Sequence, residues 1–163
     1  MSIRIYVTGG TFDKEYNEID GKLYFKDSHI NELLQLGRCK VPYIQTTLMM
    51  IDSLEMGDGE RQTILDNCRR CTEDQIIITH GTDTMVETAK VLGAANLPKT
   101  IVMTGAMIPF KFGSSDGLFN MGCALGFVQS LSKGVYVVMN GRVFTWDNVR
   151  KNRKIGEFEE LSQ

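Results

Sequence analysis

The chain has 163 residues, 42% of them apolar and 23% charged, which suits one globular domain and excludes disorder, a coiled coil and two independent cores. Lysine plus arginine is 18 and aspartate plus glutamate is 20, a net charge of −2 that argues against a general nucleic-acid binder. No run approaches the ~18 apolar residues of a membrane span, and the first residues lack the apolar stretch of a secretion signal, so a cytoplasmic protein away from membranes is expected.

In chain order, a β-branched run at residues 3–7 reads as a strand, residues 29–36 as a helix, and residues 41–47 as a second strand. A helix over 59–71, a strand over 75–79 and a helix over 84–95 follow. Thr84 and Glu87 have the spacing of a capping box, which supports a helix start there. A strand at 100–104, a helix at 116–132 and a strand at 135–139 complete the alternation. Asn140-Gly141, set before residues 143–146, is a hairpin signal. Several strands are apolar almost throughout, as in a parallel sheet buried on both faces. The expected architecture is one α/β domain over 1–163: a doubly wound, mostly parallel sheet in three layers, with a C-terminal hairpin.

Cys68 and Cys71 form a CxxC, which fits a redox pair or half a zinc site. The only histidines, His29 and His80, supply no second pair of soft ligands. Ile64, Leu65, Cys68 and Cys71 would also share one helical face. Ordinary, partly buried thiols in a reducing compartment are the simpler reading, and Cys39 and Cys123 complete the four cysteines.

Three strand ends carry the chemical information. Thr8-Gly9-Gly10-Thr11 follows the first strand, Thr79-His80-Gly81-Thr82-Asp83-Thr84 the third and Thr104-Gly105-Ala106-Met107 the fourth. In a parallel sheet they share one edge, outside the carboxyl ends of the strands, where open α/β sheets bind ligands. Each segment alone could be ordinary turn and cap chemistry; three together point to a site for a small polar or anionic molecule. Neither GxGxxG nor GxxxxGK[ST] occurs, so nucleotide binding has no motif behind it, and GxSxG and HExxH are missing as well. For covalent chemistry threonine is the nucleophile left. Its hydroxyl needs a proton acceptor. His80 is expected to hydrogen-bond locally, whereas Asp83 can orient a base or bind a substrate ammonium, or simply cap a helix. Ser114-Ser115-Asp116-Gly117 reads as the cap of the next helix.

Thr8-Gly9-Gly10-Thr11-Phe12, His80-Gly81-Thr82-Asp83-Thr84-Met85, Gly105-Ala106-Met107 with Pro109, and Ser115-Asp116-Gly117 with Asn120 resemble the signatures of the bacterial-type L-asparaginase/glutaminase family, in its order and at about its spacing. The match runs from about Ile3 to Lys151 and covers the family's larger N-terminal domain; its smaller C-terminal domain is expected to be absent. The resemblance implies that Thr11 attacks the amide, that Thr82, Asp83 and Lys151 form a Thr-Lys-Asp relay, with Lys154 as the fallback lysine, and that Tyr16 assists the nucleophile. It places Ser53 on the substrate's α-carboxylate, and Gly10, Leu54, Gly81 and Ala106 along the substrate. Met139-Asn140 fits the family's run before the lysine.

The departures are specific. The loop from Phe12 to Tyr16 is shorter than usual, Leu54 stands where many members place a glutamine, and Ile108 replaces a common arginine. The resulting expectation is a one-domain amidohydrolase that converts the side-chain amide of L-asparagine, or a related amide, to carboxylate and ammonia. It would use a threonine nucleophile without metal or organic cofactor and act as at least a homodimer. The alternatives are a non-catalytic module that binds a small amino acid in the same pocket, and a hydrolase of a related or cyclic amide.

Overall fold

The computed structural model describes residues 1–161; Ser162 and Gln163, the last of the polar C-terminal stretch, lie outside the described residues. The elements are β1 (Ile3–Gly9), a 3₁₀ turn (Thr11–Asp13), β2 (Lys14–Asn17), β3 (Lys22–Phe25), α1 (Ile30–Leu36), β4 (Tyr43–Ile51) and a second 3₁₀ turn (Ser53–Glu55). Then come α2 (Asp58–Arg70), β5 (Gln75–Thr79), α3 (Met85–Ala94), β6 (Thr100–Thr104), a third 3₁₀ turn (Phe110–Phe112) and α4 (Gly117–Ser130). The chain finishes with β7 (Gly134–Met139), β8 (Arg142–Thr145), β9 (Arg150–Asn152) and β10 (Glu157–Glu159).

The main sheet runs β4-β1-β5-β6-β7-β8, with only β8 antiparallel. Both faces are buried, which explains the unbroken apolar runs. Ile76, Ile78, Ile101 and Met103 face α2 and α3, which contribute Ile64, Leu65, Cys68, Met85, Ala89 and Leu92. Ile77, Val102 and Val138 face the other way, toward Ile30, Leu33 and Leu34 of α1 and Met121, Ala124 and Val128 of α4. The three expected layers and the doubly wound sheet are therefore observed. Asn140 (φ 50) and Gly141 (φ 84) make the two-residue turn between β7 and β8.

The crossovers do not all have the same hand. β5→β6 and β6→β7 step the same way along the sheet, yet α3 covers one face and α4 the other. The β6-α4-β7 unit thus has the hand opposite to the other three crossovers, against the strong right-handed rule. Its consequence is local: Gly117, at the start of α4, comes against Phe12, so that a Cβ there would lie 3.2 Å from the Phe12 ring. Phe12 is fully buried and anchors the turn that carries Thr11.

Other details depart from the sequence reading. β4 starts at Tyr43, after Pro42 has accepted the Ile3 N–H, and runs on to Ile51. Two further hairpins form, β2–β3 and β9–β10. α3 does begin at Met85, but the Thr84 capping box does not form, because the Thr84 hydroxyl donates to the Ser53 carbonyl at 2.7 Å. Among the described residues, no helix is long and apolar enough to cross a membrane.

Candidate active site

β1 and β5 are adjacent, but the chain leaves them for opposite faces of the sheet, which makes their carboxyl ends the switch point where such sheets form a crevice. Here the backbones approach so closely that only glycine fits. A Cβ on Gly10 (φ 77) would lie 2.5 Å from Gly81 Cα, one on Gly81 would lie 2.5 Å from Ser53 Oγ, and one on Gly105 would strike the His80 carbonyl. Three strand ends and the turn after β4 are thus locked into one edge.

Thr11 lies in the first 3₁₀ turn, half-buried, and its hydroxyl makes no hydrogen bond among the described residues. Thr8 and Thr104, by contrast, spend their hydroxyls on the carbonyls of Thr79 and Val138, both at 2.8 Å. Ser53 is buried, its Oγ accepting the Thr84 N–H at 3.3 Å, while Leu54 beside it is 64% exposed. Asp52 holds this turn by accepting the Leu54 N–H, and Lys14 pairs with its other oxygen.

The second group is built across the fold. Lys151 Nζ lies 2.8 Å from both Thr82 Oγ1 and Asp83 Oδ1. Thr82 is buried and the Lys151 side chain is 10% exposed. The β9–β10 hairpin aims the lysine: Lys151 pairs with Phe158, whose ring is buried in the core beside Val149. Lys154 is exposed and takes no part. Arg153, which sequence reasoning passed over, donates to the Asp83 carboxylate at 3.3 Å and to the Asp83 carbonyl at 2.7 Å.

Tyr16 is not brought to this cluster. It sits on β2, 55% exposed, with its hydroxyl over the turn at Gly21. Ala106 is buried, and the next two N–H groups, of Met107 and Ile108, both donate to Asp116 at 3.0 Å. Asp116 also accepts from Asn120 and Asn140, so it pins the loop after β6 to the β7–β8 turn, where the sequence suggested only a helix cap. Ser115 Oγ accepts the Gly117 N–H in that capping role.

His80 is structural, as expected. It is fully buried; Nδ1–H donates to the Gly81 carbonyl and Nε2 accepts from Thr88, both at 2.8 Å. Desolvation pushes its pKa down to about 4 and keeps the ring neutral. Asp13, fully buried in the same turn as Thr11, is pushed up to about 6 by desolvation, which outweighs the opposing His29 N–H on one oxygen and the nearby Ser28 hydroxyl. The four cysteines are free; burial pushes the Cys68 thiol up to about 12, and Cys71 ends α2. Among the described residues, no three His, Cys, Asp or Glu side chains gather as a metal site would require.

A cleft of about 220 Å³ opens beside Asp83 and Lys151, lined also by Glu87, Lys90, Arg150 and Arg153. Thr11 and Ser53 lie outside it, on the switch-point side of the same cluster.

Fold and site together define an α/β domain that presents a free threonine hydroxyl and a threonine–lysine–aspartate cluster at the carboxyl edge of a parallel sheet. The profile of the asparaginase N-terminal family matches residues 2–156, and the chain belongs to that family. The L-asparaginase of Thermococcus kodakarensis is 29% identical over 161 residues, 96% of this chain and 49% of that protein. Its thermostable structure superposes with a TM-score of 0.88 at 26% identity, covering 100% of this chain and 52% of that one. L-asparaginase 2 of Escherichia coli is 44% identical over 82 residues, 48% of this chain and 24% of that protein. A probable cytoplasmic L-asparaginase from Campylobacter jejuni superposes at a TM-score of 0.80 with 29% identity, covering 92% and 49%. The chain spans about half the length of the Thermococcus kodakarensis and Campylobacter jejuni relatives.

Proposed function

We propose that this domain hydrolyses the side-chain amide of L-asparagine, or of a related short amide, to a carboxylate and ammonia. The observation that carries the reading is the placement of Lys151 Nζ between Thr82 Oγ1 and Asp83 Oδ1. A non-catalytic binding module has no use for a lysine buried against a hydroxyl.

In this reading Thr11 Oγ attacks the amide carbon, and its proton passes to the leaving nitrogen, which departs as ammonia. Water, activated by the Thr82–Lys151–Asp83 group, then cleaves the acyl-threonine and regenerates the hydroxyl. The backbone N–H groups of Thr11 and Thr82, next after Gly10 and Gly81, stabilise the oxyanion; the Gly10 N–H itself is spent on the Ile51 carbonyl. Ser53 contacts the substrate's carboxylate, with Leu54 and Ala106 flanking it, and Tyr16 acts only after the β2–β3 hairpin swings inward. No metal or organic cofactor enters. The open edge, with Leu54, Ile108 and Phe119 exposed, gains solvent exclusion from a second copy in at least a homodimer. The four free thiols fit a reducing, cytoplasmic setting.

The test is ammonia release from L-asparagine, D-asparagine, L-glutamine and a simple amide, with rapid-quench trapping of the intermediate. An acyl adduct on Thr11, lost in Thr11→Ala, supports the reading. An adduct on Thr82 reverses the roles of the two threonines. Binding of aspartate without turnover of any amide moves the assignment to the binding module.

A further inference from the structure

Lys14 joins the two turns that carry Thr11 and Ser53. Its backbone N–H closes the Thr11–Asp13 turn by donating to the Thr11 carbonyl. Its side chain crosses to the turn after β4, where Nζ donates to Asp52 Oδ2 while Asp52 Oδ1 accepts the Leu54 N–H at 3.0 Å. Both side chains are partly sheltered from solvent. The Lys14 ammonium, then the Leu54 N–H, hold the Asp52 carboxyl below the usual carboxylate range, so the pair is ionised at neutral pH. Nζ also lies 5.7 Å from the centre of the Phe25 ring, which Lys14 faces across the β2–β3 hairpin. Thr84 anchors the Ser53 turn to the start of α3 by bonding both the Ser53 hydroxyl and its carbonyl. Lys14 supplies the tie toward Thr11. Ser53 is buried in a turn of only three residues, so what it offers a ligand depends on how that turn is tilted.

We propose that Lys14, through Asp52, is a positioning residue that sets the Ser53 turn against the Thr11 turn for recognition of a substrate carboxylate. This rests on the amidohydrolase reading above, which puts that carboxylate at Ser53. A cation beside this turn has two ways to act, and they differ in sign. As a direct charge partner, Lys14 would attract the carboxylate, and Asp52 would weaken that attraction. As a tie, Lys14 works only because Asp52 receives it. The geometry points to the tie: Nζ is engaged by Asp52, the same carboxylate caps the turn, and the Lys14 backbone closes the turn that carries Thr11. Charge-assisted bonds of this kind fix geometry, and a small misplacement of a binding group weakens what it holds.

Calorimetric titration with L-aspartate separates the two roles without requiring turnover. Asp52→Asn keeps an oxygen for the Leu54 N–H and leaves the Lys14 charge in place, but no longer offers a carboxylate to Nζ. L-Aspartate should bind at least about fivefold more weakly to Asp52→Asn and to Lys14→Met. The double variant should be no weaker than the weaker single one, since both break one tie. Lys14→Arg, which can still bond the Asp52 carboxylate, should bind within about threefold of the unaltered protein. In turnover of L-asparagine the loss should fall on KM rather than on kcat, because a remote carboxylate is held alike in the ground and transition states. A general loosening of the fold would lower kcat as well. Unchanged or tighter L-aspartate binding in Asp52→Asn, additive losses in the double variant, a loss confined to kcat, or no binding to the unaltered protein overturns the proposal. Weakened binding in both variants, with no ammonia released from any amide by the unaltered protein, supports the tie and overturns the amidohydrolase reading alone.

Discussion

Gly10 and Gly81, separated by 71 residues, are in backbone contact, so that a Cβ on Gly10 would lie 2.5 Å from Gly81 Cα. This contact fixes Thr11 relative to Thr82, because each threonine is the next residue after its glycine. Gly10→Ala must move backbone against backbone at a φ of 77 that side chains rarely adopt, and should cost at least about 2 kcal/mol. Gly122→Ala is the control: within α4, with nothing inside 4 Å of its added Cβ, it should gain about 0.5–1 kcal/mol. Urea unfolding measures both, and equal midpoints for the two variants would refute the contact.

Lys151→Arg tests the relay without removing positive charge. The guanidinium stays protonated, so it can bond Asp83 but cannot take a proton from a hydroxyl. Turnover should fall at least ~100-fold, the usual scale for a general base. Asp83→Asn should also lower turnover, since it removes the partner that holds Nζ in place. Full activity in Lys151→Arg would make the lysine a mere counter-charge for Asp83.

The three inner strands β5, β6 and β7 were legible because each is apolar on both faces, as Ile76, Ile77 and Ile78 illustrate, whereas edge strand β4, with Gln45, Thr46 and Thr47, was placed too early and too short. The site motifs were legible because they sit where such strands end. The hand of the β6-α4-β7 crossover was not, since α4 carries no charged residue and is apolar nearly all round, which leaves its packing face undefined by periodicity. The β2–β3 hairpin had a signal in Asp20-Gly21, but its strands are short and mostly exposed. The Thr84 spacing suggested a cap, but Ser53 offered a partner 31 residues away and won the hydroxyl. Arg153 was passed over because a cation just beyond a short strand looks like solvated charge until Asp83 is found beside it.

Assembly offers a separate test. Phe112 and Phe119 are 51% and 59% exposed near the start of α4, and Leu54 and Ile108 are exposed along the site's edge. Single exposed apolar residues are ordinary, but four around one edge favour a covered surface. Multi-angle light scattering should show at least a dimer at micromolar concentration, and Phe119→Glu should shift the equilibrium toward monomer. A monomeric wild-type protein with full activity would sink the proposal.

The sharpest pH prediction concerns two buried groups that oppose each other. His80 is held neutral, its pKa lowered to about 4 from 6.5 by desolvation. Its contribution is present above pH 6.5 and is lost as pH falls toward 4, because the unfolded chain takes up a proton that the fold refuses. Asp13 runs the other way, raised to about 6 from 3.8 by desolvation. Its contribution is present below pH 3.8 and is lost as pH rises through 6, where ionisation is easy only in the unfolded chain. Each shift corresponds to roughly 3 kcal/mol at full extent, so across pH 4–6 the two slopes nearly cancel. Asp13→Asn keeps an oxygen for the His29 N–H but cannot ionise. Relative to wild type it should gain on the order of 2 kcal/mol at pH 7.5 and little at pH 4. In Asp13→Asn the acid lability set by His80 should therefore stand exposed, with stability falling steadily from pH 6.5 to 4. Urea unfolding of both proteins at pH 4, 5, 6 and 7.5 measures the difference. Parallel pH profiles would mean that Asp13 ionises in the fold as readily as in water, which its burial forbids.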